Sequence, residues 1–206
     1  NRKQVESALA SGTPCMVINN EVEDLDVSFI AIDNRKGGEI AANYLHGSGH
    51  RRIAVITGNL ASQPGLLRYQ GFCSYLQKKN AEVPSDCIVK GDYSRGSARE
   101  GMEYLLALPQ RPTAVFVCSD DMALEAVSVI LEKGLKVPDD ISVIGFDDNP
   151  ACIYGPVALT TIRQPLFDMA CQAVKILYAQ MQDENLPPVR KILAPELVIR
   201  ESCRRL

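Results

Sequence analysis

The chain has 206 residues, 46% of them hydrophobic, with a formal net charge of −3 and a pI near 5.5. It can therefore bury a substantial core, as one large domain or as two smaller lobes. The mild acidity argues against a nucleic-acid-binding module, because phosphate recognition requires a basic surface.

The cysteines and the hydropathy of the chain bear on its compartment. Seven cysteines are scattered along the sequence, and none belongs to a C-x-x-C pair. This pattern favours reduced thiols over a disulfide framework or a zinc site. We find no signal peptide and no apolar run long enough to span a bilayer, so we expect a cytoplasmic protein without a membrane segment.

The first half of the chain alternates apolar strands with helices. The predicted elements are a helix ending at Ala10, strands over 15–18 and 29–32, a helix opened by Gly37-Gly38 and closed by Gly47 and Gly49, a strand over 53–57, and a helix over 66–79. Apolar spacing distinguishes the helices from the strands, and glycine is the usual residue just past a helix end. Arg68 is predicted on the first turn of the last of these helices.

The second half continues the same alternation. The predicted elements are a short strand over 87–89, a helix capped by Ser94, a strand beginning at Ala114, a helix over 120–133, a strand over 141–146, an extended segment over 159–162, a helix beginning at Pro165, and one or two strands within 191–199. Serine before a helix accepts hydrogen bonds from the first free amides, and proline is favoured in the first turn. Strand and helix therefore alternate almost to the end of the chain.

This order predicts an α/β fold. Strands that are continuously apolar and separated by helices are typical of parallel sheets covered on both faces. Several strands end in polar residues, where open α/β sheets bind ligands. At Ile32-Asp33 and over 160–164, an extended run passes into a new unit without a helix, which favours two lobes facing a cleft over a single sheet.

Seven short motifs occur in a fixed order along the chain. They are Asp33-Asn34 with Gly37-Gly38, Gly49-His50-Arg51-Arg52-Ile53, Arg68-Tyr69-Gln70-Gly71-Phe72, Arg111-Pro112-Thr113-Ala114-Val115, Ser119-Asp120-Asp121-Met122-Ala123, the run 137–148, and Leu159-Thr160-Thr161-Ile162-Arg163-Gln164-Pro165. Together they resemble the effector-binding core of the LacI/GalR family of bacterial transcriptional regulators. The resemblance implies a two-lobed, periplasmic-binding-protein-like fold, with a partial N-terminal lobe from residues 1–32 and 163–191 and a C-terminal lobe from residues 33–162 and 192–206.

Asp147 and Arg68 match the family positions that contact the effector. A carboxylate at Asp147 would accept strong hydrogen bonds from a hydroxylated or nitrogenous ligand. The planar guanidinium of Arg68 suits vicinal hydroxyls or a carboxylate. The alternatives are a loop cap for Asp147 and a loop-holding salt bridge for Arg68.

Asn19, Tyr93 and Ser119 match polar or aromatic contacts of the family, and Ser62, in the loop before Arg68, is a further candidate whose role stays open. Tyr93 stands where an aromatic ring often stacks on the ligand, although a loop-packing role is a close alternative. Asn19 replaces an acid found in several relatives, which puts a ligand requiring that charge in doubt. Asp120 is expected to cap the following helix, where the free amides and the helix dipole stabilise a carboxylate.

Catalytic and metal-binding signatures are missing from the sequence. His46 and His50 are four residues apart, but Gly47 and Gly49 break the helix between them and no third ligand is near. No G-x-S-x-G, H-E-x-x-H, Walker or dinucleotide fingerprint occurs. We therefore expect no metal, no cofactor and no enzymatic activity.

The helix over 120–133 is apolar almost all round, so one face should pack on the sheet and the other should meet a second surface. The corresponding helix of the family lies at a dimer interface. We therefore predict a homodimer with twofold symmetry. The interface residues are predicted to be Leu124, Val127, Leu131, Ile153 and Tyr154.

The resemblance implies the ligand-sensing domain of a repressor. A small effector, a sugar or sugar derivative, would bind between the lobes and control DNA binding allosterically. Operator DNA would be contacted only through a helix-turn-helix headpiece that these 206 residues do not include. The alternative is a periplasmic sugar-binding protein of a transport system, which shares the fold.

Overall fold

A computed structural model describes residues 2–22, 24–183 and 185–206. The chain divides into two compact units, the smaller from residues 1–33 and 165–194 and the larger from residues 34–164 and 195–206. The chain thus crosses between the units three times, after Asp33, Gln164 and Ala194. The domain bounds implied by the resemblance place the last crossing after Lys191, whereas in the structure it lies after Ala194.

The elements, in chain order, are α1 (Arg2–Ala10), β1 (Met16–Ile18), β2 (Ser28–Ile32), α2 (Asn34–Gly47), β3 (Ile53–Ile56), α3 (Gln63–Lys78), β4 (Ile88–Val89), α4 (Arg95–Ala107), β5 (Ala114–Val117), α5 (Asp120–Glu132), β6 (Ser142–Asp147), β7 (Thr160–Arg163), α6 (Leu166–Gln182), β8 (Arg190–Leu193) and β9 (Glu196–Val198). Short 3-10 turns lie at Ser85–Cys87 and Pro150–Ile153. The predicted α/β class is confirmed. None of the described helices is both long and apolar enough to cross a lipid bilayer.

The larger unit is built on a six-stranded sheet with the order β4-β3-β5-β6-β7-β9. Neighbouring strands are parallel except for β9, which runs antiparallel to β7. Side chains alternate between the faces of a strand, so Ile56 and Val117 join the core beneath α4 and α5, whereas Phe116 stacks on Phe72 of α3 at 4.9 Å between ring centroids. Helices on both faces explain why these strands are continuously apolar.

Helices α2 and α3 pack backbone against backbone through glycine. A Cβ on Gly38 would lie 2.1 Å from the carbonyl oxygen of Arg68, and one on Gly71 would lie 2.0 Å from that of Arg35. The prediction that Gly37-Gly38 opens α2 is therefore wrong, because the helix begins at Asn34 and both glycines lie inside it. This close packing fixes the position of the Arg68 backbone relative to α2.

Helix α3 also begins earlier than predicted. It starts at Gln63 rather than Leu66, with Ser62 as its N-cap. Arg68 consequently lies in the second turn of the helix and not in the first. A serine followed by proline in the first turn, Ser62-Gln63-Pro64, is the local signal for this start.

The smaller unit contains a three-stranded parallel sheet with the order β1-β2-β8. Helix α6 covers it with Met169 and Ala173, which form a small core with Ile30. Ile176 of α6 is partly buried against this core, whereas Phe167 is 80% exposed. The two closing strands separate, because β8 joins this sheet while β9 joins that of the larger unit.

Candidate functional site

The carboxyl ends of β3, β5, β6 and β7 lie at one edge of the large sheet, because these strands are parallel neighbours. A polar residue lies at or just beyond each strand end: Thr57 after β3, Ser119 two residues after β5, Asp147 at the last position of β6, and Gln164 after β7. Polar residues that are more than one hundred positions apart in the sequence, from Thr57 to Gln164, therefore lie at the same edge of the sheet.

Arg68 is the most constrained cation at this edge. Its side chain is buried, and its guanidinium carbon lies 3.6 Å from the centroid of the Phe146 ring. The Nε atom donates to Asn34 Oδ1 at 2.8 Å, and Nη1 donates to the carbonyl oxygen of Cys118 at 2.7 Å. Stacking and neutral acceptors thus hold the guanidinium plane in one orientation.

Asp147 pairs with this guanidinium. Its Oδ1 atom accepts from Arg68 Nη1 at 3.3 Å and from Gln164 Nε2 at 2.5 Å. The side chain keeps 30% of its surface exposed, so it can also reach a bound molecule. Burial raises the pKa of Asp147 to about 6 although the nearby Arg68 lowers it.

The backbone at Asp147 and Asp148 adopts the left-handed region, with φ of 127° and 60°. Asp148 turns away from Arg68 and accepts from Arg163 Nε at 2.7 Å and from Arg200 Nη2 at 2.5 Å. Burial would raise the pKa of Asp148, but the two arginines more than compensate, and the pKa is lowered. Two adjacent aspartates therefore face different partners across a strained turn.

Asp120 is not the helix cap that the sequence predicted. Ser119 is the N-cap of α5, and Asp120, in the first turn, is completely buried. Its Oδ1 accepts from Thr161 Oγ1 at 2.6 Å, and its Oδ2 accepts from the Asn149 amide at 2.8 Å. The Cys152 thiol also donates to Oδ2, at 3.1 Å. Asp120 thus ties α5 to β7 and to the loop that follows Asp147.

Tyr93 is held over the end of β3. A Cβ on Gly58 would lie 2.2 Å from the Tyr93 ring, so the ring lies directly against the glycine backbone. Tyr93 also has a left-handed backbone, with φ of 73°. Burial raises the pKa of its phenol, while the Arg68 charge lowers it. The hydroxyl is therefore within electrostatic reach of Arg68.

Among the described residues, four buried side-chain polar atoms have no hydrogen-bond partner: Asn19 Oδ1, Tyr93 Oη, Gln164 Oε1 and Gln172 Oε1. Asn19 and Gln164 directly follow β1 and β7, and Tyr93 lies in the loop after β4. Three of the four thus lie beyond the carboxyl ends of strands. Buried polar groups are nearly always satisfied, so each exception requires an explanation.

The structure places the six predicted effector residues differently. It brings Arg68, Asp147 and Tyr93 to the same edge of the large sheet, whereas Asn19 belongs to the smaller unit, with φ of 65°. Ser62 accepts from the Gly65 amide at 3.3 Å, and Ser119 accepts from the Met122 amide at 3.5 Å. Both serines cap helices, and their effector contacts stay predictions.

Two residues of this edge were not predicted as contacts. Asn34 orients Arg68, and Gln164 shares Asp147 with it. Both lie inside motifs that carried the family resemblance, Asp33-Asn34 and Arg163-Gln164-Pro165. An amide directly after the extended segment Thr160–Arg163 was the signal that could have identified Gln164.

The interface prediction requires one correction. Val127 is 1% exposed and packs in the core of its own unit, so it cannot contact a partner. Leu124 and Leu131 are half-buried against the same core. Ile153 and Tyr154 are 54% and 81% exposed. The exposed part of the predicted interface is therefore the turn after β6.

The histidines and cysteines have ordinary environments. His50 is buried, with Nδ1 2.9 Å from Thr113 Oγ1 and Nε2 3.2 Å from the Arg204 carbonyl oxygen. All seven cysteines are free thiols. Within the described ranges, no group of three His, Cys, Asp or Glu side chains could hold a metal ion.

Comparisons with known proteins add an independent line of evidence. The family model of the periplasmic binding protein-like domain matches residues 42–203. The chain is 41% identical over 187 residues to the HTH-type transcriptional repressor PurR of Histophilus somni strain 129Pt, covering 91% of this chain and 55% of that protein. It spans about half the length of the curated relatives it matches.

Solved structures are similar over nearly the whole chain. The transcriptional regulator CelR in complex with cellobiose matches with a TM-score of 0.86 and 32% identity, covering 93% of this chain and 59% of that one. A LacI family transcriptional regulator from Enterococcus faecium with bound ribose matches with a TM-score of 0.89 and 26% identity, covering 98% and 74%. Both of these similar proteins were solved with a carbohydrate.

Proposed function

This chain belongs to the periplasmic binding protein-like family, in its LacI-type group of transcriptional regulators, and we propose that it is the effector-sensing domain of a repressor. The effector is a small polyhydroxylated molecule, a sugar or a sugar derivative. It binds at the carboxyl edge of the large sheet, at Arg68, Asp147 and Gln164. Asn19, in the smaller unit, is a further candidate for effector contact.

One observation carries the proposal most directly. Unsatisfied buried polar atoms and left-handed backbones coincide at the same places, since Asn19 and Tyr93 have both features and Asp147 adjoins Gln164 in the hydrogen-bond network. Each unsatisfied polar group costs about 1–3 kcal/mol of folding free energy. Residues held in sparsely populated backbone regions cluster at functional sites. Both costs are explained if a ligand completes the hydrogen bonds.

The chemistry of the edge suits hydroxyl groups. Arg68 supplies donors, Asp147 supplies a carboxylate acceptor, and Gln164 supplies an unused carbonyl acceptor. A sugar hydroxyl both donates and accepts, so adjacent hydroxyls can satisfy acceptor and donor groups together. The carbohydrates in two similar regulators support the same ligand class.

We further propose how the effector acts. The corner from Asp147 to Asn149 leads into the 3-10 turn Pro150–Ile153, next to exposed Tyr154. Effector binding at Asp147 would bias this turn and, through a homodimer contact that includes Leu124, Leu131, Ile153 and Tyr154, the spacing of DNA-binding headpieces. The relatives named as repressors favour this cytoplasmic role over that of a transport protein.

Calorimetry with the intact protein tests the proposal. The probes are cellobiose, ribose, uridine and ribose 5-phosphate, and we expect at least one to bind with saturable heat. The double variant Asp147→Asn with Arg68→Met should lose this binding, because it removes the charged acceptor and the donor fork. Asp139→Asn, at an exposed aspartate, is the matched control. Unchanged affinity in the double variant, with an intact circular dichroism spectrum, would show that the site lies elsewhere.

A further inference from the structure

The charged side chains at the ends of β6 and β7 do not pair as the strand register places them. The two strands are parallel, with Asp147 opposite Arg163, and opposite side chains of parallel strands point to the same face of the sheet. A regular strand end would therefore place the Asp147 carboxylate beside the Arg163 guanidinium. Asp147 instead accepts from Gln164 Nε2, at 2.5 Å. Arg163 donates from Nε to Asp148 at 2.7 Å, so the cation opposite Asp147 binds the neighbouring aspartate.

The backbone at the end of β6 produces this exchange of partners. Asp147 and Asp148 have φ of 127° and 60°, whereas a residue in a parallel strand has a φ of about −120°. Both side chains therefore leave the chain in directions that a regular strand does not give. Such backbone conformations are sparsely populated and persist only where surrounding contacts hold them.

The contacts of Asp148 hold this corner. Its side chain is only 12% exposed, and its Oδ1 atom accepts from Arg200 Nη2 at 2.5 Å. Arg200 is itself fixed to β7, because its Nη1 donates to the Leu159 carbonyl at 2.8 Å and its amide donates to Thr160 Oγ1 at 2.9 Å. Asp148 is thus anchored to a fixed cation while its second oxygen binds Arg163.

Two other carboxylates could receive Arg163 if Asp148 lost its charge. Glu196, opposite Arg163 in the register of β7 and β9, lies 3.7 Å from Nη1 but is 72% exposed, and ion pairs in solvent are weak. Asp147, opposite Arg163 on β6, is more shielded from solvent. Because an ion pair is stronger where solvent screens it less, Arg163 would then favour Asp147. It would compete there with the effector for the carboxylate oxygens.

We propose that Asp148 is a positioning residue of the effector site, which binds Arg163 and so keeps this cation away from the Asp147 carboxylate. This inference rests on the proposed function and refines it, because it gives a role to a residue that does not itself contact the effector. Asp148 leaves Asp147 shared only between Arg68 and Gln164, with its remaining acceptor capacity open to a ligand.

Calorimetry with the intact protein tests this role, using the probe of the four that binds. Asp148→Asn removes the charge and suits the left-handed backbone. We expect it to bind the probe about fivefold more weakly, the effect of one partly exposed ion pair. Adding Arg163→Gln should restore the affinity to within about twofold of the unaltered protein, because the competing cation is gone.

Two further variants complete this comparison. Asp86→Asn is the matched control, because it breaks the Arg52–Asp86 ion pair at the amino edge of the sheet, and it should leave the affinity unchanged. If Asp148→Asn does not fold, Asp148→Gly makes the same comparison, because glycine adopts a φ of 60° without strain. A merely structural role of Asp148 would leave the double variant at least as weak as the single one.

A second measurement requires no probe. The carboxyl carbon of Asp147, followed by nuclear magnetic resonance, should titrate with a pKa of about 6 in the unaltered protein. Arg163→Gln should raise the pKa of Asp147 in the Asp148→Asn background, where the cation stabilises the carboxylate, and leave it unchanged in the unaltered background. Equal shifts in both backgrounds would show that Asp148 does not control Arg163, and would overturn the inference.

The outcomes separate the two proposals. If a probe binds and Asp148→Asn binds it with unchanged affinity, the inference about Asp148 is wrong while the proposed function stands. If the double variant binds as weakly as Asp148→Asn, the inference is also wrong, because the loss does not depend on Arg163. If no probe binds the unaltered protein, the proposed function is contradicted, and the role of Asp148 in effector binding with it.

Discussion

Asp120 and Asp147 both lie near the carboxyl ends of neighbouring strands of one sheet, the first in the turn of α5 that follows β5 and the second at the end of β6, yet their environments are opposite. Asp120 is fully buried and receives three hydrogen bonds from Thr161, Asn149 and Cys152. Asp147 is partly exposed, has a left-handed backbone, and shares one oxygen between Arg68 and Gln164. Complete satisfaction marks a carboxylate that holds the framework together, whereas incomplete satisfaction and strain mark one that is available to a ligand.

The largest expected effect on stability comes from removing the Asp120 carboxylate, which ties α5 to β7. Asp120→Ala leaves the Asn149 amide and the Thr161 hydroxyl buried without their acceptor. We expect a loss of about 3 kcal/mol in the free energy of unfolding, measured by urea denaturation. If the alanine variant does not fold, Asp120→Asn, which keeps one acceptor, should show a smaller loss. A change as small as that of the exposed control Asp139→Ala would refute the structural role.

Asp147→Asn should change stability in the opposite direction. Because the folded pKa of Asp147 is raised to about 6, above the value of an unfolded aspartate, its contribution is fully present below about pH 4 and is lost as the pH rises through about 6. Asparagine removes this penalty and can still accept from Arg68. The variant should therefore be more stable than the unaltered protein at pH 7 by about 1–2 kcal/mol, with the difference vanishing near pH 4.

The Asp147→Asn variant also tests the proposed effector site, because its effector affinity can be measured. Asp147→Asn should weaken effector binding while it stabilises the fold, the usual conflict at a binding site. Asp148 stays ionised in both proteins, so its pH dependence cancels in the comparison. A variant that is less stable than the unaltered protein at pH 7 would place Asp147 with Asp120 in the framework.

Site residues at the ends of strands could be predicted from the sequence. Roles that depend on contacts between residues distant in the sequence could not. The strand pattern placed Asp147 at the carboxyl edge of the sheet, whereas Arg68, on a helix, was predicted only from its match to the family motif. The role of Asp120 was mispredicted because an acid at a helix start resembles a cap, and only Thr161 and Asn149, 41 and 29 residues away, reveal its partners. The left-handed backbone at Asp147 likewise has no local signature, since aspartate is common in ordinary turns.

Glycine gives the same lesson in the fold. Gly37-Gly38 satisfies the local pattern of a helix start, but Gly38 is small because the Arg68 backbone approaches it from α3. The third crossing was placed after Lys191 rather than after Ala194, because one continuous β-rich stretch contributes β8 and β9 to different sheets. In each case the sequence feature was recognised, but its cause lies in a long-range contact.

The smallest expected effect on stability concerns Tyr154, which directly follows the 3-10 turn Pro150–Ile153. Tyr154 is 81% exposed, whereas Val127, predicted for the same surface, is 1% exposed in its own core. Tyr154→Ser should therefore change the free energy of unfolding by less than about 0.5 kcal/mol.

If Tyr154 contacts a second copy, the same substitution should shift sedimentation from dimer towards monomer, because exposed aromatics often anchor interfaces. Lys136→Ser, at an exposed position after α5, is the control and should leave the sedimentation unchanged. A dimer that survives Tyr154→Ser and Ile153→Ser together would place the interface on another surface, because these are the most exposed of the predicted contacts.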